Sequence, residues 1–319
     1  MILISLPNLF YLKMELSALA LELSLTMVLM AFSAEIISKG VENLENVVGQ
    51  GLAGGVILGN LTAFPETVIV LEAVLNHDGD VALGSSIAGN VVLFTLGLGL
   101  VGVAYRLKWG SSLTMKGDFR QELGVMSIVI VLLGVAILIG QINPILSLFL
   151  FSIYGYYLVK RVKGGNVTSK ISVKALIEIM IGGTVVVLLS PVFLSLITNL
   201  ALIAMVSKTW ISMVLTPVVA ELEEGISAMR LALRSKGGGS TAIVSYFGSK
   251  IQNSTILLGL VGLDMVEVHG LYLLITILSS LIGVMVIYDG KLTVGEGVVL
   301  CLSYFAFMYL ALVFSSLPL

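Results

Sequence analysis

Apolar residues run along this chain in long blocks, separated by short polar stretches. About 20 consecutive apolar residues suffice for an α-helix to cross the hydrocarbon core of a bilayer. Blocks of this kind fall at residues 16–38, 52–76, 81–105, 122–140, 145–158, 176–204, 212–233, 241–262, 271–287 and 298–314. The blocks at 16–38 and 176–204 are long enough to cross at a tilt. Unbroken runs, rather than short alternating ones, predict helices and not a barrel. The polar, basic stretch 160–174 is the natural division between halves, giving 1–163 and 164–319 with five blocks each. The expected fold is an all-α polytopic membrane protein of about ten transmembrane helices.

Composition narrows the picture. Of the 319 residues 58% are hydrophobic and 11% charged, where a soluble domain carries about 25% charge. The single cysteine, Cys301, lies in an apolar run and excludes a disulfide framework or a cysteine-based metal site. Residues 1–10 are apolar but lack a basic start and a small-residue cleavage site, so they do not read as a signal peptide.

Charge placement sets the orientation. If loops alternate sides, one side collects Lys39, Arg106, Lys108, Lys116, Arg120, the basic 160–174 stretch, Arg230, Arg234, Lys236 and Lys291. The other side has Lys13 and Lys208 with Asp78, Asp80, Asp264 and Glu267. The basic side is expected to be cytoplasmic, with both termini outside and the plasma membrane as the location. An odd number of spans per half then makes the two halves enter the membrane in opposite senses.

A repeat supports that inversion. Leu98-Gly99-Leu100-Val101-Gly102 recurs as Leu258-Gly259-Leu260-Val261-Gly262. The same register pairs Thr95 with Thr255, Gly89 with Ser249 and Asn90 with Lys250. A two-residue insertion in the turn 235–240 pairs Glu66 with Glu224. Inverted repeats with interrupted, glycine-rich helices point to an ion or substrate site near the midplane.

Carboxylates inside apolar runs are costly and read as functional. Glu66 follows Pro65, which removes a backbone donor and frees a carbonyl. That carbonyl, the Thr62 hydroxyl and the Glu66 carboxylate make an oxygen cluster suited to a hard cation. In the second half, Glu221 and Glu224 share a helical face, while Glu223 points elsewhere and reads as structural. Asn90, Ser249 and Asn253 can add neutral oxygens, although small polar residues also serve helix packing. Lys250 is an ammonium within a span and calls for an acidic partner among Glu221, Glu223 and Glu224. It reads as a structural ion pair, a built-in cation replacing a transported one, or a proton carrier. His77 and His269 are isolated loop residues and do not make a metal site. No phosphate-binding loop, HExxH pair or GxSxG elbow occurs, so ATP-driven transport and enzymatic chemistry are not expected.

At these residues the chain resembles the cation/Ca2+ exchanger superfamily, and its sodium/calcium exchanger branch most closely. That family's first repeat reads G-T-S-x-P-E, a short turn, then D-I-A-L-G-x-x-x-G-S-N. Here the stretch reads Leu61-Thr62-Ala63-Phe64-Pro65-Glu66, then Asp80-Val81-Ala82-Leu83-Gly84 and Ala88-Gly89-Asn90. In the second repeat, Gly248-Ser249-Lys250-Ile251-Gln252-Asn253 resembles the family's G-S-N-I-x-N/D. The resemblance implies an alternating-access antiporter exchanging Ca2+ for Na+, with Thr62, Glu66, Glu224, Ser249 and Asn253 at the ion site. Five departures stand out. Ala63 and Gly89 replace serines, Leu93 stands at a polar position, Lys250 replaces an asparagine, and Ala220-Glu221-Leu222-Glu223-Glu224 replaces the second T-S-x-P-E.

The expected function is therefore Na+/Ca2+ exchange through Glu66 and Glu224, without a cofactor. The alternatives are a proton/cation exchanger using the extra carboxylates and Lys250, a glutamate-lined cation channel, and a membrane-embedded enzyme. The expected partners are inorganic cations and the lipid bilayer. No nucleic acid or obligate protein partner is expected.

Overall fold

The computed structural model describes residues 6–48, 63–115, 119–162 and 173–315. Thr62, the glycine-rich start of the second apolar block and residues 163–172 of the inter-half stretch lie outside the described residues. The described chain is mostly helical. Helix α1 spans Leu6–Val48, α2 Phe64–Leu75, α3 Gly79–Val92, α4 Leu98–Trp109, α5 Arg120–Ile139, α6 Pro144–Val162 and α7 Val173–Ala204. They continue as α8 Lys208–Ala220, α9 Leu222–Arg234, α10 Gly238–Gln252, α11 Leu258–Leu263, α12 Gly270–Asp289 and α13 Val294–Ser315. Among the described residues, six helical stretches are long and apolar enough to cross a membrane, and α6 and α8 are shorter apolar helices. Large apolar side chains such as Leu21, Val131, Leu188 and Phe305 lie exposed on their outer faces, as expected for surfaces solvated by lipid.

Interruptions occur where the sequence places its chemistry. A π-helical turn at Leu93–Gly97 joins α3 to α4, and a second at Asn253–Leu257 joins α10 to α11. Both directly precede a copy of the repeated Leu-Gly-Leu-Val-Gly segment. In each, a threonine hydroxyl donates to a backbone carbonyl one turn earlier: Thr95 to Val91 and Thr255 to Ile251. Hydroxyl groups thus engage carbonyls at the register slip, and such bulges concentrate at functional sites. The expected seventh span is broken into α8 and α9, which meet at Glu221.

Pro65 stands at the start of α2, in the first helical turn, rather than inside a continuous described helix. There its missing N–H would have lacked a partner anyway. Ala63 caps α2 and Glu221 caps α9. Glu66 and Glu224 therefore occupy the same position in the first turn of their helices.

Among the described residues, four short strands lace the halves together. Strand β1, Leu113–Thr114, pairs antiparallel with β4, Lys291–Leu292, and β2, Gln141–Ile142, pairs with β3, Val266–Glu267. The helices show matching cross-half contacts: α1 packs on α7, α5 on α12, α4 on α13 and α6 on α11. The repeated glycines make two of these contacts possible. A Cβ on Gly99 would come within 2.6 Å of Cys301 Sγ and Gly297 O on α13, and one on Gly259 would strike Phe151 on α6. Close helix approach at small residues is a main source of packing energy in membranes. Gly99→Leu should therefore push α4 off α13 and cost about 1–3 kcal/mol, read as a lower Tm in detergent. Gly124→Leu, where a new side chain meets nothing within 4 Å, should leave Tm unchanged.

Candidate ion-binding site

The start of α2, the α8–α9 break and the two π-interrupted helices converge on one buried cluster of charges. Glu66 from α2, Glu221 and Glu224 from the α8–α9 break and Lys250 from α10 surround a shared centre. The Lys250 ammonium is bonded to Glu221 Oε1 and lies 3.7 Å from Glu66 Oε1 and 3.9 Å from Glu224 Oε2. The Lys250 side chain is fully buried, those of Glu66 and Glu221 are 3% exposed, and that of Glu224 is 17% exposed. At about 1.5 Å per residue, Glu66 lies about 14 Å from the end of α2, and Glu224 about 15 Å from the end of α9. Each is thus about half a bilayer core away from the loop that follows its helix.

Neutral groups complete the shell. Asn253, at the start of the second π turn, donates from Nδ2 to Glu66 Oε1 at 3.3 Å and to Glu221 Oε1 at 3.1 Å. Ser249 donates to Glu224 Oε1 at 2.6 Å. Buried polar groups in proteins are nearly always hydrogen-bonded. Yet Glu221 Oε2, Asn253 Oδ1 and Asn90 Oδ1 are buried without a hydrogen-bond partner. All three are acceptor oxygens, the atom type that a hard cation takes as ligand. With every group ionised, three carboxylates and one ammonium carry a formal charge of −2.

The sequence candidates sort into three groups. Glu66, Glu221, Glu224, Ser249, Lys250 and Asn253 come together in this cluster. Asn90 instead donates to Ser254 Oγ at 2.5 Å and Ser280 Oγ at 3.3 Å, while its own carbonyl oxygen stays unpartnered. Thr62 lies outside the described residues. Glu223 faces away, accepting from Ser38 at 2.5 Å, which fits its structural reading.

Three contributors escape sequence reasoning. Ser254 and Ser280 hold Asn90. The signal that marks them is the pairing of polar residues inside apolar runs, as Asn253-Ser254 and Ser279-Ser280. The third is Gly89, which residue type presents only as a lost hydroxyl. A Cβ there would collide with Glu221 Oε1 and stand 2.5 Å from both Lys250 Nζ and Asn253 Nδ2. The missing serine hydroxyl at this position is the space in which the Glu221–Lys250 pair sits.

Towards one loop end, a cavity of about 480 Å³ is lined by acidic groups including Asp80, Asp264 and Glu267. Lys208 and Thr198 hold the adjacent Asp78 at 2.8 and 3.2 Å. From Asp80, α3 runs about 14 Å to Gly89.

Comparison with known proteins gives a family match over most of the chain. The family described as sodium/calcium exchanger protein matches residues 19–163 and 174–313. No curated protein matches by sequence. Among solved structures, the H+/Ca2+ exchanger CAX aligns with a TM-score of 0.77 and 17% identity, over 93% of this chain and 86% of that one. YfkE aligns at 0.74 and 16%, over 91% and 92%. The sodium-calcium exchanger NCX_Mj aligns at 0.63 and 18%, over 90% and 97%. At these identities the likeness is one of fold.

Proposed function

Because the chain belongs to the sodium/calcium exchanger family, we propose that it is an antiporter moving Ca2+ against monovalent cations, with Glu66 and Glu224 as its exchangeable charges. One observation carries the reading: carboxylates from the two halves face a single buried centre that also holds unpartnered acceptor oxygens. Ser249 and Asn253 are the neutral ligands. One Ca2+ or two monovalent cations neutralise the same pair of carboxylates, so their occupancies exclude one another, and that exclusion is the basis of exchange.

The reading carries a topology with it. Ten spans form two inverted five-helix repeats, 1–163 and 164–319, with α3–α4, α8–α9 and α10–α11 each counted as one interrupted span. The matched π turns, the matched caps at Ala63 and Glu221 and the reciprocal strand pairs support this arrangement. The basic loops face the cytoplasm, and the acidic cavity beside Asp80 and Asp264 opens outside. Alternating access then consists of one helix group moving against the other around a fixed site.

Protons are the counter-ion that the geometry favours over Na+. A proton needs only a carboxylate oxygen, whereas each Na+ needs its own oxygen shell. Gly89 and the buried Leu93 offer no side-chain oxygen, and Lys250 already occupies cationic space on Glu221. The Na+ reading draws on the unpartnered amide oxygens of Asn90 and Asn253, which suit that ion.

The test is 45Ca2+ uptake into proteoliposomes. A pH gradient in Na+-free buffer should drive uptake at least about tenfold above the gradient-free level, a bias of about 1.4 kcal/mol. A Na+ gradient at clamped pH should drive little. The reverse pattern would assign Na+ as the counter-ion, and uptake indifferent to both gradients would reject antiport.

A further inference from the structure

We infer that Glu221 and Lys250 form a permanent internal ion pair, a tethered cation and its anion, which leaves Glu66 and Glu224 as the only charges exchanged in the cycle. The inference rests on the antiport reading and adds to it the amount of charge carried per turnover.

Three departures from the family pattern meet at one point. Gly89 stands for a serine, Glu221 for a serine and Lys250 for an asparagine. They come from α3, from the α8–α9 break and from α10, yet all three touch. The Lys250 ammonium bonds Glu221 Oε1, and both groups fill the space that a Cβ on Gly89 would take. One change adds a negative charge, the second adds a positive charge, and the third removes the atoms that would occupy their space. Volume and charge are compensated within a single contact.

The pair is also anchored. Asn253 Nδ2 donates to Glu221 Oε1 as well as to Glu66 Oε1. Lys250 lies closer to Glu221 than to Glu66 or Glu224. An ammonium in such a dry site is fixed by its nearest carboxylate, because drawing it away would leave Glu221 as an uncompensated buried charge. The pair adds no net charge, so the exchangeable charge at the site is the −2 of Glu66 and Glu224. One Ca2+ then balances two monovalent cations, and a complete cycle moves no net charge across the membrane.

Two measurements test this. In proteoliposomes clamped with K+ and valinomycin, wild-type Ca2+ uptake should be the same, within experimental scatter, at zero and at 100 mV. Uptake that scales several-fold with potential overturns the inference, even though it leaves antiport itself intact. Conversely, failure of wild-type antiport, or full uptake by Glu66→Gln, would refute the underlying reading instead.

The second measurement is a charge cycle. Lys250→Met alone leaves a third bare carboxylate, and Glu221→Gln alone turns the ammonium onto Glu66 and Glu224. Each should lower uptake at least tenfold. The double variant Glu221→Gln/Lys250→Met restores the −2 and should recover most of that loss while staying insensitive to potential. A double variant no better than either single one overturns the inference. If the variants do not fold, the wild-type potential measurement still decides it.

Discussion

Glu66→Gln is expected to lower Ca2+ uptake by two to three orders of magnitude, with the protein still folded. The substitution keeps the side chain's shape and one acceptor oxygen and removes one charge. With Glu221, Glu224 and Lys250 ionised, the cluster then carries −1, so a bound Ca2+ leaves an uncompensated positive charge in a dry site. Breaking charge compensation in such a place costs about 3–5 kcal/mol, and every 1.4 kcal/mol is about tenfold in binding. Glu224→Gln should act in the same direction but more weakly, because its side chain is 17% exposed and that of Glu66 is 3% exposed. Glu72→Gln is the control. Glu72 lies beyond the cluster on α2 and accepts from Asn76 at 2.9 Å, so uptake should be retained. Binding of 45Ca2+ to detergent-solubilised protein reads the effect separately from the transport cycle. Wild-type affinity in Glu66→Gln would remove this residue from the site.

Much of this is legible in the sequence because the membrane simplifies the code. A carboxylate or ammonium inside an apolar run is expensive enough to stand out, and Glu66, Glu221, Glu224 and Lys250 are all visible on that ground. The repeated Leu-Gly-Leu-Val-Gly segment sets the register in which the two π turns fall at equivalent positions. Helix interruptions are harder to read. The π turns at Leu93–Gly97 and Asn253–Leu257 change hydrogen bonding without a composition signal of their own. The break at Glu221 falls in an apolar-to-acidic run that hydropathy joins into one span. Partner choice is only half legible. Sequence offers Lys250 three acidic partners, and only the packing of α10 against α9 brings Glu221 into its closest contact. Asn90 shows the opposite limit. Its residue type and position suggest a ligand, but its amide nitrogen is turned to Ser254 and Ser280, both distant in sequence.

Gly89 reverses an inference that residue type alone invites. Measured against the family pattern, glycine at this position is a lost oxygen, and Gly89→Ser would be the obvious way to improve ion binding. The packing predicts a loss instead. The new Cβ would collide with Glu221 Oε1 and stand 2.5 Å from Lys250 Nζ and Asn253 Nδ2, all in the most tightly constrained part of the site. Overpacking a buried position costs about 1–3 kcal/mol, and here the strain falls on the ion pair rather than on adaptable apolar side chains. Gly89→Ser should therefore lower Ca2+ uptake at least about tenfold and reduce Tm in detergent. The deficit should be specific to the pair. In a chain that also carries Glu221→Ser and Lys250→Asn, the added hydroxyl no longer meets a carboxylate and an ammonium, so Tm should recover. Uptake by Gly89→Ser equal to or above wild type would mean that the Glu221–Lys250 pair does not occupy the space beside Gly89.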